Sequence, residues 1–301
     1  MKTTSKLLVT LGIAGLAGLF NATGQAADAF QTKINPKDGA EMVFVPAGPF
    51  KMGIDPIPMD IEKREQFNTP KHEVTLDGYW IYKYPVTVKQ YKKFIAETQG
   101  AKPAPGTTGK MPDEPLWGWK DDHPMVMVTW ADAVAYAKWA GAALPTEAQW
   151  EKAARGTDER LYPWGNEWNP KLCVHSDKVW GDHKSTEPVG SHPGNVSPYG
   201  AMDMAGNIWE WCNDWWKNDY YKESPANNPT GPLKQTWTIP ANSYAGVDYK
   251  EHINYGFFRV ARGGAWTLCK PKCFQSVNRD WGIAPGLFTM DLGFRCVVNG
   301  K

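Results

Sequence analysis

The chain has 301 residues, of which 42% are hydrophobic and 22% are charged, a composition typical of a globular protein. Its 33 basic and 32 acidic residues leave a formal net charge of +1, so it lacks the excess of positive charge that marks a nucleic-acid-binding protein. Sixteen tryptophans, 29 glycines and 24 prolines are many for this length and indicate a compact, loop-rich fold with large rings in its core.

The first 26 residues have the pattern of a secretory signal peptide. Two lysines precede an apolar run over residues 7–20, and a small-x-small cleavage site ends at Ala26. The apolar run is short for a membrane span, which makes an uncleaved anchor the weaker alternative. We therefore expect an exported mature protein with no stable membrane span, either secreted or, in a Gram-negative source, periplasmic.

Alternating apolar residues predict three strand regions in the first 130 residues. The first lies over Met42–Gly53 and is interrupted by a Pro-Gly turn, and the second lies over Val74–Tyr82. The third is a short strand over His123–Trp130 that leads into a helix. Residues 171–197 have little periodicity, so we expect irregular backbone there.

Three helices are predicted by their N-terminal caps. The first begins after Thr87 and runs to about Glu97, with apolar residues on one face. The other two begin with pairs that have the capping-box spacing, Thr129 to Asp132 and Thr146 to Gln149. A glycine at position 156 ends the third helix.

Residues 200–216 combine glycines, four tryptophans and a set of oxygen donors. So many rings are unusual for an ordinary strand, and the glycines favour a turn. The oxygen donors are the side chains of Asp203, Asn207, Glu210, Asn213 and Asp214. Because Ca²⁺ binds several oxygens, including backbone carbonyls, this stretch predicts a calcium site. The alternative is that these polar groups only satisfy the backbone of the turn.

The stretch from Arg259 to Cys296 holds three of the five cysteines, two of them as Cys269-Lys-Pro-Lys-Cys273. The two lysines and a nearby arginine would lower the thiol pKa by favouring the thiolate, which is the reactive and metal-binding form. A structural disulfide is the alternative, since such bridges are common in exported proteins. The odd number of cysteines leaves at least one thiol outside intramolecular bridges. Cys173 has no assigned role, although His175 and Asp177 near it could help to bind a second cation.

The order of the motifs resembles that of the sulfatase-modifying-factor family, typified by the formylglycine-generating enzyme. In chain order they are MVFVPAGPFKMG, PVTVKQYKKFI, PMVMVTWADAVAYAKWAG, LPTEAQWEKAARG, YPWGNEW, PYGAMDMAGNIWEWCNDWW, RGGAW and LGFRC. They cover about Met42 to Val298. The resemblance implies one α+β domain over about residues 28–301, loop-rich and built as the family's variant of the C-type lectin fold. It also implies that Asn207 and Glu210, with the carbonyls around Gly206 and Ile208, bind Ca²⁺.

In the formylglycine-generating enzyme, two cysteines after an RGGS motif bind Cu(I), oxygen is activated there, and a substrate cysteine becomes formylglycine. The resemblance implies this role for Cys269 and Cys273, and soft thiolates suit Cu(I). A peptide or protein substrate would then lie in a cleft lined by Trp209, Trp266 and Arg279.

The chain departs from the family pattern at three places. Three residues separate Cys269 from Cys273 where the family has four, and Ala265 replaces the serine of the RGGS motif. A helical cysteine of the family is Ala137 here, so Cys296 lacks that partner and a cysteine at position 212 is the candidate replacement.

Other members of the family work differently. The iron-binding members need an H-x-x-x-H-x-E pattern, which none of the six histidines forms. Exported members also serve as accessory proteins for respiratory metalloenzymes, as maturation proteins in siderophore pathways, or as lectin-like binding modules. We therefore predict a metal- and oxygen-dependent oxidase that acts on a peptide or protein. The alternatives are an accessory or maturation protein, with a partner metalloenzyme, and a binding module.

Overall fold

The computed structural model describes residues 30–55, 67–99, 105–176, 185–232, 258–267, 269–279 and 282–300. The predicted signal peptide lies outside the described residues, as do Asp177 and the region 233–257. Within the described ranges, no helix is long and apolar enough to cross a membrane.

The described residues form short strands and three α-helices. The strands are β1 (Thr32–Ile34), β2 (Glu41–Val45), β3 (Gly48–Met52), β4 (His72–Leu76), β5 (Tyr79–Tyr82), β6 (Trp209–Trp215), β7 (Arg259–Arg262), β8 (Gly282–Ile283), β9 (Leu292–Gly293) and β10 (Val297–Asn299). The helices are α1 (Val88–Thr98), α2 (Trp130–Trp139) and α3 (Glu147–Arg155).

The strands pair into three small sheets. One sheet has the order β1-β2-β5-β10 and is antiparallel, so the last strand completes a sheet begun by the first. A second sheet is the antiparallel pair of β3 and β4. The third has the order β8-β7-β6-β9, in which β6 and β9 are parallel and the other pairs are antiparallel.

The three predicted helices are confirmed, because each cap is a local feature. The side chain of the threonine before each helix accepts a hydrogen bond from the amide of the residue three positions on, and the amide of the threonine donates one to the side-chain oxygen of that residue. The strand predictions over Met42–Gly53 and Val74–Tyr82 are also confirmed, as β2 with β3 and β4 with β5.

Two expectations are wrong. Residues 123–130 form no strand; the only β-bridge described there is an isolated one between Thr87 and Pro124. Residues 209–215, expected as part of a turn, form β6. Because β7 and β9 pair with β6 from either side, the tryptophan-rich segment is held as an inner strand, with a register shift between Trp211 and Trp215.

Helix α3 is almost entirely buried, and its acidic side chains pair with arginines of β7, of the segment that follows it and of α3 itself. Glu147 accepts hydrogen bonds from Arg262 at 3.1 Å and from Arg279 at 2.7 Å. Glu151, also on this helix, contacts Arg155 and Arg262. All five side chains are buried, so these ion pairs join the helix to β7 and to the segment that follows it.

Candidate active site around the Cys269–Cys273 pair

Cys269 and Cys273 are joined by a disulfide, with their Cα atoms 5.9 Å apart. The sulfurs are therefore not thiols in this state, and the expected lowering of a thiol pKa by the two lysines does not apply to it. The loop is also held by its backbone. The amide of Cys269 donates to the carbonyl of Ser176 at 3.0 Å, and the amide of Cys273 donates to the carbonyl of Lys270 at 2.9 Å.

An aromatic cluster packs against this disulfide. Its members are Tyr162, Trp164, Trp168, His175 and Phe274. Tyr162 stacks on Trp164 with ring centroids 5.2 Å apart, and Trp168 stacks on Phe274 at the same separation. The two cysteines are 9% and 8% exposed, so the disulfide lies at the edge of the cluster with little solvent contact.

The Gly263-Gly264 pair lets β7 end directly beneath the disulfide turn. Both glycines have a positive φ, +107° and +74°, which other residues rarely adopt. A Cβ atom on Gly264 would lie 2.6 Å from the ring of Phe274. A side chain at this position would therefore displace the aromatic ring that packs beside Cys273.

The structure brings some of the predicted site residues together and separates others. Trp209 is partly buried and packs against the cluster that contains both cysteines. Trp266 is 1% exposed, and its Nε1 donates to the carbonyl of Met290 at 3.1 Å. Its ring makes an edge contact with Trp117 at a centroid distance of 5.4 Å, and of these two rings the half-buried Trp117 is the more exposed.

Arg279 does not join these residues. Its Nε donates to Glu147, and Nη1 donates to the carbonyls of Phe67 and Lys217 at 3.1 and 3.0 Å. The guanidinium also lies over the rings of Trp216 and Tyr221. These contacts give Arg279 a structural role in the buried ion-pair network; the residue is 1% exposed, and its Nη2 is buried without a hydrogen-bond partner among the described residues.

The predicted calcium ligands have partners within the chain. Both carboxylate oxygens of Glu210 accept hydrogen bonds from Arg295, at 2.6 and 2.7 Å. The side-chain oxygen of Asn207 accepts from the amide of Glu187 at 3.1 Å, and the carbonyl of Gly206 accepts from the amide of Ile208 at 2.9 Å. Calcium binding at these residues stays a prediction.

Comparison with known proteins identifies the family. The sulfatase-modifying factor enzyme 1-like domain matches residues 27–300. The chain belongs to this family. The formylglycine-generating enzyme of Thermomonospora curvata is 37% identical over 318 residues, which cover 86% of this chain and 93% of that protein. The hercynine oxygenase of Mycolicibacterium smegmatis is 29% identical over 280 residues, covering 79% of this chain and 57% of that protein.

A solved structure supports the same assignment. PvdO from Pseudomonas aeruginosa matches with a TM-score of 0.65 at 25% identity, covering 89% of this chain and 97% of that protein. The predicted α+β, loop-rich, C-type-lectin-like fold of the sulfatase-modifying-factor family is therefore confirmed.

No disulfide joins Cys212 to Cys296, so Cys212 does not replace the family's helical cysteine as a partner. Cys212 and Cys296 are both free and buried, and they belong to different core clusters. Cys212 lies on β6 among residues such as Trp216, whereas Cys296 packs near Tyr136. The third free thiol, Cys173, packs in the same cluster as the disulfide, and burial raises its pKa to about 12.

Sequence reasoning missed Asp291. The hydroxyls of Thr267 and Thr289 donate to its two carboxylate oxygens, both at 2.6 Å. The carbonyl of Asp291 accepts from the amide of Trp209 at 2.7 Å, which fixes this residue next to a predicted site ring. The sequence feature that could have indicated Asp291 is its position, since it directly precedes the LGFRC motif and its partner Thr267 directly follows Trp266.

Proposed function

We propose that this member of the sulfatase-modifying-factor family is an exported oxidase that acts on a cysteine in a peptide or protein and forms a formylglycine-type product. The similarity to formylglycine-generating enzymes over most of the chain supports this activity. The observation that carries the proposal is the pairing of Cys269 with Cys273 at the edge of the aromatic cluster. Two sulfurs this close can share one soft ion once they are reduced.

The donor set at this pair fits Cu(I). Thiolates are soft ligands, and Cu(I) accepts a small number of them. In the parts of the chain described by the structure, no group of three or more His, Cys, Asp or Glu side chains is placed to hold a metal, so a copper site here would use the two sulfurs. Bound copper would supply the activation of oxygen.

The protein's own residues would prepare this chemistry. Lys270 and Lys272 flank the sulfurs and favour the thiolate form after reduction. The stacked rings of the aromatic cluster and the adjacent Trp209 keep water away from one side of the pair and offer an apolar surface to the substrate. An external thiol reductant must first open the disulfide, which gives two thiols here and the disulfide of the reductant.

Calcium binding by Gly206, Asn207, Ile208 and Glu210 is part of the proposal. These residues supply the oxygen donors that Ca²⁺ prefers. In the described arrangement Arg295 holds both oxygens of Glu210, so a cation would have to share this carboxylate with the guanidinium. A structural ion at this place would stabilise the fold rather than take part in the oxidation.

The test begins with the reduced protein purified from the periplasm. We expect stoichiometric Cu(I) binding, and oxygen consumption in the presence of cysteine-containing peptides, with formylglycine detected by mass spectrometry. Cys273→Ser should lose both the copper and the activity. Cys212→Ala, which removes a buried free thiol outside the aromatic cluster, is the matched control and should retain them. Metal analysis of the same sample reports calcium, and the mature N-terminus should be Ala27 if the chain is exported.

A non-catalytic accessory or binding role is the second candidate. The disulfide and the replacement of the family's serine by the fully buried Ala265 favour it. Under this alternative the folded protein keeps its disulfide in the presence of a reductant. Protein whose disulfide has been opened binds no copper. That result, together with an absence of oxygen consumption, would contradict the oxidase.

A further inference from the structure

Arg259 differs from the other buried arginines of the described chain. Four of them pair with a glutamate: Arg155 with Glu151, Arg262 with Glu147 and Glu151, Arg279 with Glu147, and Arg295 with Glu210. Arg259 is only 8% exposed, yet within the described ranges no carboxylate lies at ion-pair distance from it. A buried charge without a partner is costly, so its retention calls for an explanation.

Two tryptophans hold the guanidinium of Arg259 in a fixed plane. Its central carbon lies 3.6 Å from the ring centroid of Trp130 and 3.3 Å from that of Trp215. These two rings are nearly parallel, at 21°, so the guanidinium lies between them. Nη1 donates to the carbonyl of Asn213 at 2.6 Å, which fixes the orientation of the group.

The hydrogen-bonding capacity of Arg259 is only partly used. Nε is buried and has no partner, and Nη2 makes no hydrogen bond with the described residues. The neighbouring carboxyl, Asp214, is buried and accepts a hydrogen bond from the amide of Glu147 at 2.9 Å rather than one from Arg259.

Arg259 pairs with Trp215 at one end of β6, and Trp209, which packs against the cluster that contains both cysteines, lies at the other end. Trp209 and Trp215 are the first and last residues of β6, which places them at most about 20 Å apart at about 3.3 Å per residue, since the register shift between Trp211 and Trp215 shortens the strand. The loop over residues 284–291 connects the two ends. The carbonyl of Pro285 accepts a hydrogen bond from the amide of Trp130, whose ring stacks on Trp215, and the carbonyl of Asp291 accepts one from the amide of Trp209. Leu287 and Phe288 in this loop are 48% and 53% exposed, so apolar surface lies between the two ends.

We propose that the guanidinium of Arg259, held between Trp130 and Trp215, binds a carboxylate of the peptide on which the protein acts. An extended peptide spans the length of β6 in about six residues. The preferred substrate therefore carries an acidic residue about six positions from its reactive cysteine, with apolar residues between them that contact Leu287 and Phe288. The substrate class rests on the proposed function, but the carboxylate site is a binding property that does not require oxidation.

The experiment measures binding to the oxidised, metal-free protein by calorimetry. The probes are short synthetic peptides in which serine replaces the cysteine and one glutamate stands at varied distances from it, with a matched set that has glutamine instead. We expect the glutamate peptides to bind about 10-fold more tightly, because the contact is a charge-assisted hydrogen bond. The advantage should be greatest near a spacing of six residues and should decrease as salt is added.

Variants locate the effect. Arg259→Gln should abolish the preference for glutamate, while Arg160→Gln, at an arginine paired with Asp158, should retain it. Equal affinity of the two peptide sets for the unaltered protein would overturn the proposal without any variant, which covers the case in which Arg259→Gln fails to fold. Acetate that binds as tightly as the glutamate peptides would also overturn it, since the site would then select small acids.

The outcome is separable from that of the oxidase test. Glutamate-selective binding by a protein that consumes no oxygen would leave the Arg259 site in place and remove only the proposed activity. Copper-dependent oxidation with no preference between glutamate and glutamine peptides would leave the proposed activity in place and remove only the Arg259 site.

Discussion

The carboxyl group of Asp214 is buried in the core close to the carboxyl group of Glu147. Its Oδ2 accepts a hydrogen bond from the amide of Glu147 at 2.9 Å, and its side chain is 2% exposed as part of β6. Burial first, and then the charge of Glu147, raises the pKa of Asp214 from 3.8 to about 8. Between about pH 4 and pH 8, the folded protein therefore holds a proton at Asp214 that the unfolded chain has already released.

This difference predicts how Asp214 affects stability. Because the pKa is raised in the folded state, stability is lost as pH rises from about 4 towards 8. Asp214→Asn cannot ionise and keeps an oxygen for the amide of Glu147. We expect its melting temperature to exceed that of the unaltered protein by roughly 3 °C or more at pH 9, with the gain disappearing near pH 4. Thermal unfolding across this pH range is the measurement.

Asp77→Asn is the control for this prediction, since Asp77 is exposed. It should shift the melting temperature equally little at both ends of the pH range. A gain for Asp214→Asn that is the same at pH 4 and pH 9 would mean that packing, not ionisation, distinguishes the variant.

At the scale of elements, the N-terminal cap of α3 has consequences beyond the helix. The hydroxyl of Thr146 accepts from the amide of Gln149 at 3.1 Å, and the Gln149 side chain accepts from the amide of Thr146 at 3.0 Å. The first turn of this helix carries Glu147, which meets Arg262 and Arg279. The cap therefore orders the turn on which a buried ion-pair network depends.

Thr146→Ala should lower the free energy of unfolding by about 1 kcal/mol, because it leaves a backbone amide of the first turn without its acceptor. Urea denaturation measures the loss. Thr146→Ser keeps the hydroxyl and should recover most of the stability. If serine is as damaging as alanine, the methyl group and its packing matter rather than the cap.

The difference between α3 and β6 shows what a sequence can predict at this scale. The helix is specified by residues within one turn of its start, so its bounds could be predicted. Strand β6 depends on β7 and β9, which lie some 50 and 80 residues further along the chain, and its run of tryptophans favoured a different interpretation. Pairing partners at such distances leave no local signal.

The same limit applies to the candidate site. The cysteine pair and Trp209 could be predicted, because they lie in motifs. The position of Arg279 could not, because it depends on the burial of Glu147 on α3, and the pairing of Arg259 with two rings depends on β6 meeting α2. The contact between Asp291 and Thr267 likewise joins residues 24 positions apart.

At the scale of the whole molecule, α3 connects parts that would otherwise be separate small sheets. Its Lys152 donates to the carbonyls of Pro46 and Gly48, at the turn between β2 and β3, and its Trp150 donates to Glu210 on β6 at 2.8 Å. Arg295, close to β10, binds the same glutamate. A set of buried polar contacts therefore links all three sheets through one helix.

This linkage predicts that the described sheets unfold together. We expect far-ultraviolet circular dichroism and tryptophan fluorescence to report one transition at the same temperature. The disulfide should contribute little to it, because a bridge between residues four apart closes a short loop, for which the chain-entropy estimate is about 2 kcal/mol. Reduction should therefore lower the melting temperature by no more than about 5 °C.

The control is the double variant Cys269→Ser/Cys273→Ser, which should melt close to the reduced protein and should not respond to reductant. Two separate transitions would show that α3 does not join the sheets into one cooperative unit. A loss of all structure on reduction would show that the disulfide, rather than the backbone contacts of Cys269 with Ser176 and the packing of Phe274 on Trp168, holds the site together. In that case the pair could not open to bind an ion in a folded protein, and the oxidase would lose its physical basis.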